Sequence, residues 1–430
     1  MSEFIPLNNG KHLYFKESNQ LINAGLKDLY LRFSDRQKKE WIDIPIDKKV
    51  VKSKIQQLNQ IIFEVTQNCN LNCKYCSYGG SYKYFRKTSP ITLSLERAVK
   101  AIDYVYSKIS HRHPKKVSFS FYGGEPLLVF NTIEKIAAYA KKVFNGWQIS
   151  FAMTTNGVGL TADVIRFLVE NNVNLMISLD GPIGNHDAKR VFRDGSGSLG
   201  ILMKNIEKLS GFDSNYYHQQ VSFSVVYSKD LSLRAVYDFF EQNDLVNKNI
   251  VSFAFVNHFD TDYFEKYPYD EALFRKDMDW VLDKVTDKKR NKAELTPIDE
   301  SFFRDINDLR KKLKKKQLTT LAETCLFNNR LYVDATGQFH ACEKMNDTFP
   351  IGNVEDGFDF DRMVQILQEF SQLIKNHCTH CDVRFLCSRC FIHFAKNGEF
   401  VMRKEFCEKK KKKFNVLNRV IQLIEEGVLN

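Results

Sequence analysis

No run of about 18 apolar residues occurs in this chain of 430, which leaves no candidate membrane-spanning helix. The N-terminus, MSEFIPLNNGKHLYF, lacks the basic patch and apolar core of a secretory signal, so the expected compartment is the cytoplasm. Thiols stay reduced there, and ten cysteines then point to metal or catalysis rather than disulfides. There is no internal repeat and no low-complexity tract beyond two lysine runs. A further absence is local. Cys69, Cys73 and Cys76 lie within eight positions of CNLNCKYC, but no fourth cysteine stands near them.

The size allows two or three domains, and 43% hydrophobic with 27% charged residues is ordinary for a globular chain. The formal net charge of +11 is densest in KKLKKK (311–316) and at Lys409 to Lys413. Lysine runs of this kind read first as solvated helix faces. No aromatic-interleaved basic stripe accompanies them, so nucleic acid is not the expected partner; an acidic peptide suits the positive field better.

From residue 61 apolar, β-rich runs alternate with amphipathic stretches. Strands are expected at 61–66, 117–122, 149–155, 173–180, 221–227 and 250–256. Helices are expected at 94–109, 131–144, 161–171, 199–209 and 231–242. Such alternation gives a parallel α/β sheet, here an open, partial (β/α)6 TIM-like barrel, with several strands read as apolar on both faces. Polar turns follow the strands: Cys69 the first, GGEP (123–126) the second, Asn156–Gly157 the third and DGP (180–182) the fourth. In parallel folds the C-terminal strand ends form the ligand face, so these segments converge. The expected organisation is an appendage at 1–58 with two weak strands (HLYFKES and LKDLYLRF), a core at 59–257, a helical bridge at 258–322 and a cysteine-rich domain at 323–430. A final helix is expected from Phe414, Leu417, Ile421 and Ile424.

Three thiolates satisfy three irons of a cubane [4Fe–4S] cluster and leave the fourth open, as a catalytic zinc keeps a position open. A zinc site with a remote fourth ligand is the alternative. The C-x3-C-x2-C spacing, with Tyr75 before its last cysteine, resembles the radical SAM superfamily. That resemblance implies a cluster on Cys69, Cys73 and Cys76 whose open iron chelates S-adenosylmethionine. An electron from the cluster then cleaves the cofactor to methionine and a 5′-deoxyadenosyl radical, which abstracts a substrate hydrogen. It further implies that Gly123, Gly124 and Glu125 hold the methionine amino group, with the Glu125 carboxylate as an acceptor. Ser178 and Asp180 of SLDGPIGNHDAKR would line the cofactor pocket, Arg190 would pair with its carboxylate, and Tyr75 would lie near its adenine.

The remaining cysteines are Cys325, Cys342, Cys378, Cys381, Cys387, Cys390 and Cys407. In isolation the paired C-x2-C knuckles at 378–390 suggest zinc. The whole series, with Gly337 before Cys342, resembles a SPASM domain with two auxiliary [4Fe–4S] clusters. The spacing between Cys387 and Cys390 is one residue shorter than the usual form. Carried over, Cys378, Cys381, Cys387 and Cys407 hold one cluster. Cys325, Cys342 and Cys390 hold the other, with His340 and Glu343 as neighbouring non-thiolate candidates. Glu343 is also a candidate catalytic base, against the plainer reading of a surface carboxylate. Purely structural clusters are the alternative throughout.

KYCSYGGSYKYFRKTS also resembles relatives that mature ribosomally made peptides. The implied function is modification of a precursor peptide, with residues 1–58 as a leader contact and flavodoxin or ferredoxin as electron donor. Formylglycine formation on a sulfatase is the runner-up, and a zinc-containing nucleic-acid-binding protein is the alternative from another class.

Overall fold

Alternation of phenylalanine and aliphatic residues with small polar ones fixes the central sheet. In the computed structural model, which describes residues 4–6, 12–15, 20–23, 41–42, 44–111, 115–313, 318–319, 321, 325, 327, 329–344, 348–411 and 423, six parallel strands run in sequence order. They are β1 (Gln60–Thr66), β2 (Lys116–Gly123), β3 (Gln148–Thr155), β4 (Asn174–Ser178), β5 (Val221–Tyr227) and β6 (Ile250–Phe255). Each pairs with the next in parallel register. Between them lie α1 (Leu95–Lys108), α2 (Phe130–Val143), α3 (Ala162–Glu170), α4 (Leu199–Phe212) and α5 (Leu233–Gln242). Side-chain caps set several of the starts: Ser94 Oγ accepts from Arg97 N, and Ser232 Oγ from Ala235 N.

Phe63, Val65, Phe119, Phe121, Phe151, Leu175, Ile177, Phe223 and Val225 are buried under these helices. The opposite, inner face differs from the expectation of strands apolar on both sides. It carries Gln60, Ser118, Ser120, Thr154, Asn174, Ser178, Ser222 and Ser224 interspersed with Ile62, Ala152 and Met176. The reason is curvature: a partial barrel faces its inner surface on a cavity, so only the helix side needs continuous apolar burial.

The sheet extends past β1. The strand β7 (Arg330–Val333) pairs in parallel with β1, and β8 (Phe339–His340) pairs antiparallel with β7. Part of the 323–430 segment is thus hydrogen-bonded into the core sheet. The bridge forms α6 (Glu271–Arg290) and α7 (Pro297–Leu313), and Arg304 Nη2 donates to Val251 O of β6. In the cysteine-rich segment α8 (Phe360–Cys378) carries Met363, Ile366, Leu367, Phe370 and Ile374 into the core and ends on a cysteine.

Near the N-terminus, Phe4–Pro6, His12–Phe15 and Gln20–Asn23 form an antiparallel three-stranded sheet. HLYF is therefore a strand; LKDLYLRF and the expected final helix lie outside the described residues, as do Lys314 to Lys316. Lys312 is buried and reaches Ser388, so that lysine run is not uniformly a solvated face. Among the described residues no helix is long and apolar enough to cross a membrane.

Candidate functional site

The loop after β1 is fastened before any cofactor is considered. Asn72 N donates to Val191 O at 2.8 Å and Lys74 N to Lys189 O at 2.9 Å, so the main chain on either side of Cys73 pairs with the 189–191 segment. Cys76 N donates to Cys73 O at 3.0 Å, and Gly79 N to Cys76 O at 2.9 Å. Arg193 Nη2 donates to Asn68 Oδ1 and to Cys69 O, at 2.8 and 2.9 Å.

The two glycines of GGEP serve this same loop. Gly124 N donates to Thr66 O at 2.7 Å and Glu125 N to Asn68 O at 2.8 Å. A Cβ on Gly123 would lie 2.2 Å from Thr66 O, and one on Gly124 would lie 2.0 Å from Asn68 O. Only glycine lets the ends of β1 and β2 approach so closely.

Glu125 is tied into the strand ends around it. It is 1% exposed, and its carboxylate accepts from Thr155 Oγ1 at 2.6 Å, Asn156 N at 2.7 Å and Leu127 N at 3.0 Å. Burial raises its pKa against these donors. The carboxylate braces β3 against the GGEP turn.

Asp180 is likewise committed. Its Oδ2 accepts from the Tyr75 hydroxyl and from Arg190 Nε at 2.8 Å, and its Oδ1 from Val226 N at 2.9 Å. Tyr75 packs with Val256 and Tyr263 and is 7% exposed. Arg190 also reaches Cys73 Sγ with Nη1 at 3.9 Å. Asp180 therefore joins Tyr75 and Arg190 into one bonded group beside Cys73. Ser178 is half-buried on the inner face of β4. Asn156 Nδ2 donates to Asn70 Oδ1 at 2.7 Å and lies 4.0 Å from Cys69 Sγ.

None of the ten cysteines forms a disulfide, and all are half-buried. Burial lifts the Cys73 thiol to about 12 and the Cys69 thiol to about 11, with Arg190 pulling both down. Cys69, Cys73 and Cys76 are close enough to feel one another's charge. Among the described residues no three His, Cys, Asp or Glu side chains gather as a single-ion site. A cubane makes no such demand, since each thiolate binds a different iron. Donors aimed at the sulfurs, namely the amides of Leu71, Tyr78 and Gly79 with the Arg190 guanidinium, fit a thiolate-held cluster.

The C-terminal thiols fall into two neighbourhoods. Burial pushes Cys378 up to about 12, and Cys381, Cys387 and Cys407 add to the rise. Cys342 and Cys390 are both raised by burial and both feel Cys325 and Glu343. Glu343 Oε2 accepts from Cys342 Sγ at 3.3 Å. His340 is buried and pairs with Asp334 Oδ2 at 3.0 Å instead.

Glu343 also borders a cavity of about 330 Å3 on the inner face of the sheet, together with Ser120, Tyr122, Thr154, Met176 and Arg330. It is thus not a plain surface carboxylate. Several groups here had not been singled out from the sequence: the buried Glu64–Arg86 pair, Tyr122, and His186 with Ser198. Glu64 had a visible signal, a lone charge inside the apolar strand IIFEVT.

His186 is 1% exposed; Nδ1 accepts from Asp180 N at 3.2 Å, and Nε2 shares a hydrogen bond with Ser198 Oγ at 3.1 Å. Burial lowers its pKa from 6.5 to about 4, although Asp180 and Asp187 act the other way. The folded state holds the neutral ring, so the associated stability is present above about pH 6.5 and is lost as pH falls toward 4. The shift is worth at most roughly 3 kcal/mol. Thermal unfolding of His186→Gln, followed from pH 7 to pH 4.5 under anaerobic conditions, is expected to show a flatter acid limb than the unaltered chain.

Comparison with known proteins adds the following. Residues 63–224 match the family model described as the Radical SAM superfamily. The chain is 25% identical over 346 residues to the radical SAM cyclopropyl synthase TigE of Paramaledivibacter caminithermalis, covering 77% of this chain and 67% of TigE. It is 28% identical over 240 residues to a cysteine-type anaerobic sulfatase-maturating enzyme of Clostridium novyi, covering 54% and 60% of the two chains. The fold is similar to that of native anSMEcpe with bound AdoMet and Kp18Cys peptide, with a TM-score of 0.65 at 20% identity, over 85% of this chain and 98% of that one.

Proposed function

The chain is a radical SAM enzyme, with that domain spanning residues 63–224, and from this premise we propose that it modifies a ribosomally made peptide by hydrogen abstraction. The observation that carries the reading is the inner-face cavity. It is lined by polar residues such as Ser120, Thr154 and Asn174 together with apolar ones such as Ile62 and Met176, and bordered by Glu343, which also contacts the Cys342 thiol. A space of about 330 Å3 suits one or two side chains of a peptide better than a bulky metabolite.

Cys69, Cys73 and Cys76 hold the radical SAM cluster, and Ser178 with the Gly123–Gly124 main chain borders the cofactor. When bound, the cluster and S-adenosylmethionine supply the 5′-deoxyadenosyl radical. Cys378, Cys381, Cys387 and Cys407 hold one auxiliary cluster; Cys325, Cys342 and Cys390 hold the other. A low-potential donor such as flavodoxin or ferredoxin delivers the electron, and the N-terminal sheet offers an edge for a leader peptide. Formylglycine formation is the second reading, favoured by the likeness to sulfatase-maturating enzymes.

The test is anaerobic reconstitution, an iron assay and incubation with dithionite, S-adenosylmethionine and candidate peptides. About twelve irons per chain and peptide-dependent 5′-deoxyadenosine are expected for three cubanes. A mass change on a sulfatase-type peptide alone would select the second reading. A colourless, zinc-loaded chain that leaves the cofactor intact would sink both.

Glu343 is the proposed proton acceptor as the substrate radical is oxidised. Glu343→Gln is expected to leave 5′-deoxyadenosine formation intact while product falls about 100-fold, the lower range for losing a positioned base. Parallel quantification of 5′-deoxyadenosine and modified peptide checks this; equal loss of both would remove Glu343 from that role.

A further inference from the structure

Arg190 carries more geometry than a cofactor contact needs. It caps the helix Ile183–Lys189, and its main chain lies between the two hydrogen bonds that pin the Cys73 loop to residues 189 and 191. Its carbonyl accepts from Ser198 Oγ at 2.8 Å, and that hydroxyl also meets His186 Nε2. Arg190 N donates to His186 O at 2.7 Å. Backbone and side chain are therefore both fixed: Nε is held by Asp180, the guanidinium lies 5.3 Å from the Tyr75 ring centroid, and Nη1 points at Cys73 Sγ. The side chain is 8% exposed, so water screens this charge poorly.

A cationic N–H donor on a ligating sulfur stabilises the more negative, reduced state of an iron–sulfur cluster and so raises its potential. We propose that Arg190 is a redox-tuning residue of the Cys69–Cys73–Cys76 cluster, rather than the partner of the methionine carboxylate, and that Asp180, Tyr75, His186 and Ser198 are the positioning residues that aim it. The inference rests on reading these three cysteines as cluster ligands. Asp180 offsets part of the charge, and the Tyr75 hydroxyl donating to the same carboxylate oxygen weakens that offset. The net field at Cys73 Sγ is set by the balance.

The experiment uses the full-length, reconstituted enzyme. The reduced-cluster EPR signal that disappears in the Cys69/Cys73/Cys76→Ala chain identifies the cluster concerned. Anaerobic redox titration of that signal, without S-adenosylmethionine, gives its midpoint potential; equilibrium binding of S-adenosylmethionine is measured separately. Arg190→Gln is expected to move the potential to more negative values, with cofactor affinity changed less than threefold. Ser198→Ala, which keeps the charge and loosens its aim, should shift the potential the same way by a smaller amount. Should the Gln variant fail to take up iron, the smaller shift in Ser198→Ala carries the comparison. An unchanged potential with a tenfold or greater loss of affinity would assign Arg190 to the carboxylate and overturn the proposal, as would no change in either quantity. If the Cys69/Cys73/Cys76→Ala chain kept its full iron content, the underlying cluster assignment would be at fault instead.

Discussion

With Cys69, Cys73 and Cys76 all changed to Ala, 5′-deoxyadenosine formation is expected to fall to background while about two thirds of the iron remains, as the loss of one cubane in three requires. The separation is sharp because the loop does not depend on its sulfurs for shape. Main-chain bonds from Asn72 to Val191, from Lys74 to Lys189 and from Cys76 to Cys73 hold it, and Arg193 clamps its start. None of these uses a thiol, so the altered loop keeps its path and the barrel keeps its fold. The C-terminal thiols sit in two neighbourhoods of their own, on α8 and beyond β8, and lose no ligand. Iron per chain, cofactor cleavage under dithionite and circular dichroism together check the result. Cleavage that persisted in the triple variant would refute the assignment of the cluster to this loop.

The strand periodicity carried most of the core. Five of the six parallel strands fall within a residue of their expected ends, and the fourth stops at Ser178 rather than 180 because Leu179 and Asp180 already turn into the pocket wall. What was not legible is β7. RLYV is four residues long, and its pairing to Gln60–Phe63 spans about 270 positions, which no local pattern encodes. The polar inner face was legible only in retrospect: VSFSVVY alternates, but whether the serines face water, helices or a cavity depends on how far the sheet curls. The site shows the same division. Spacing located the cysteines, GGEP and the DGP-to-Arg190 stretch at one mouth. It gave no account of where side chains point: the fold sets the Glu125 carboxylate on Thr155 and Asn156 and pairs Asp180 with Arg190. A charged residue in a motif reads the same whether it meets a ligand or a neighbour; burial decides between them.

Glu64 and Arg86 form the contact whose loss should cost the most stability. Both are buried, at 0% and 8% side-chain exposure, and they meet directly. Glu64 Oε2 also accepts from Gln67 Nε2 at 2.9 Å and from Ala335 N at 3.0 Å, while Arg86 lies 3.7 Å from the Tyr78 ring centroid. The pair therefore joins β1, the cysteine loop and the turn after β7. Glu64→Gln leaves a buried guanidinium without a counter-charge, and Arg86→Met leaves a buried carboxylate, each costing about 3–5 kcal/mol. The double change removes both charges, so its cost is expected to be well below the sum of the two. Thermal unfolding of the four reconstituted chains under anaerobic conditions measures this cycle. Arg86→Met alone also removes the cation that packs on the ring of Tyr78, whose hydroxyl donates to Glu343 O at 3.2 Å. Strictly additive melting temperatures would mean that the two side chains do not compensate each other.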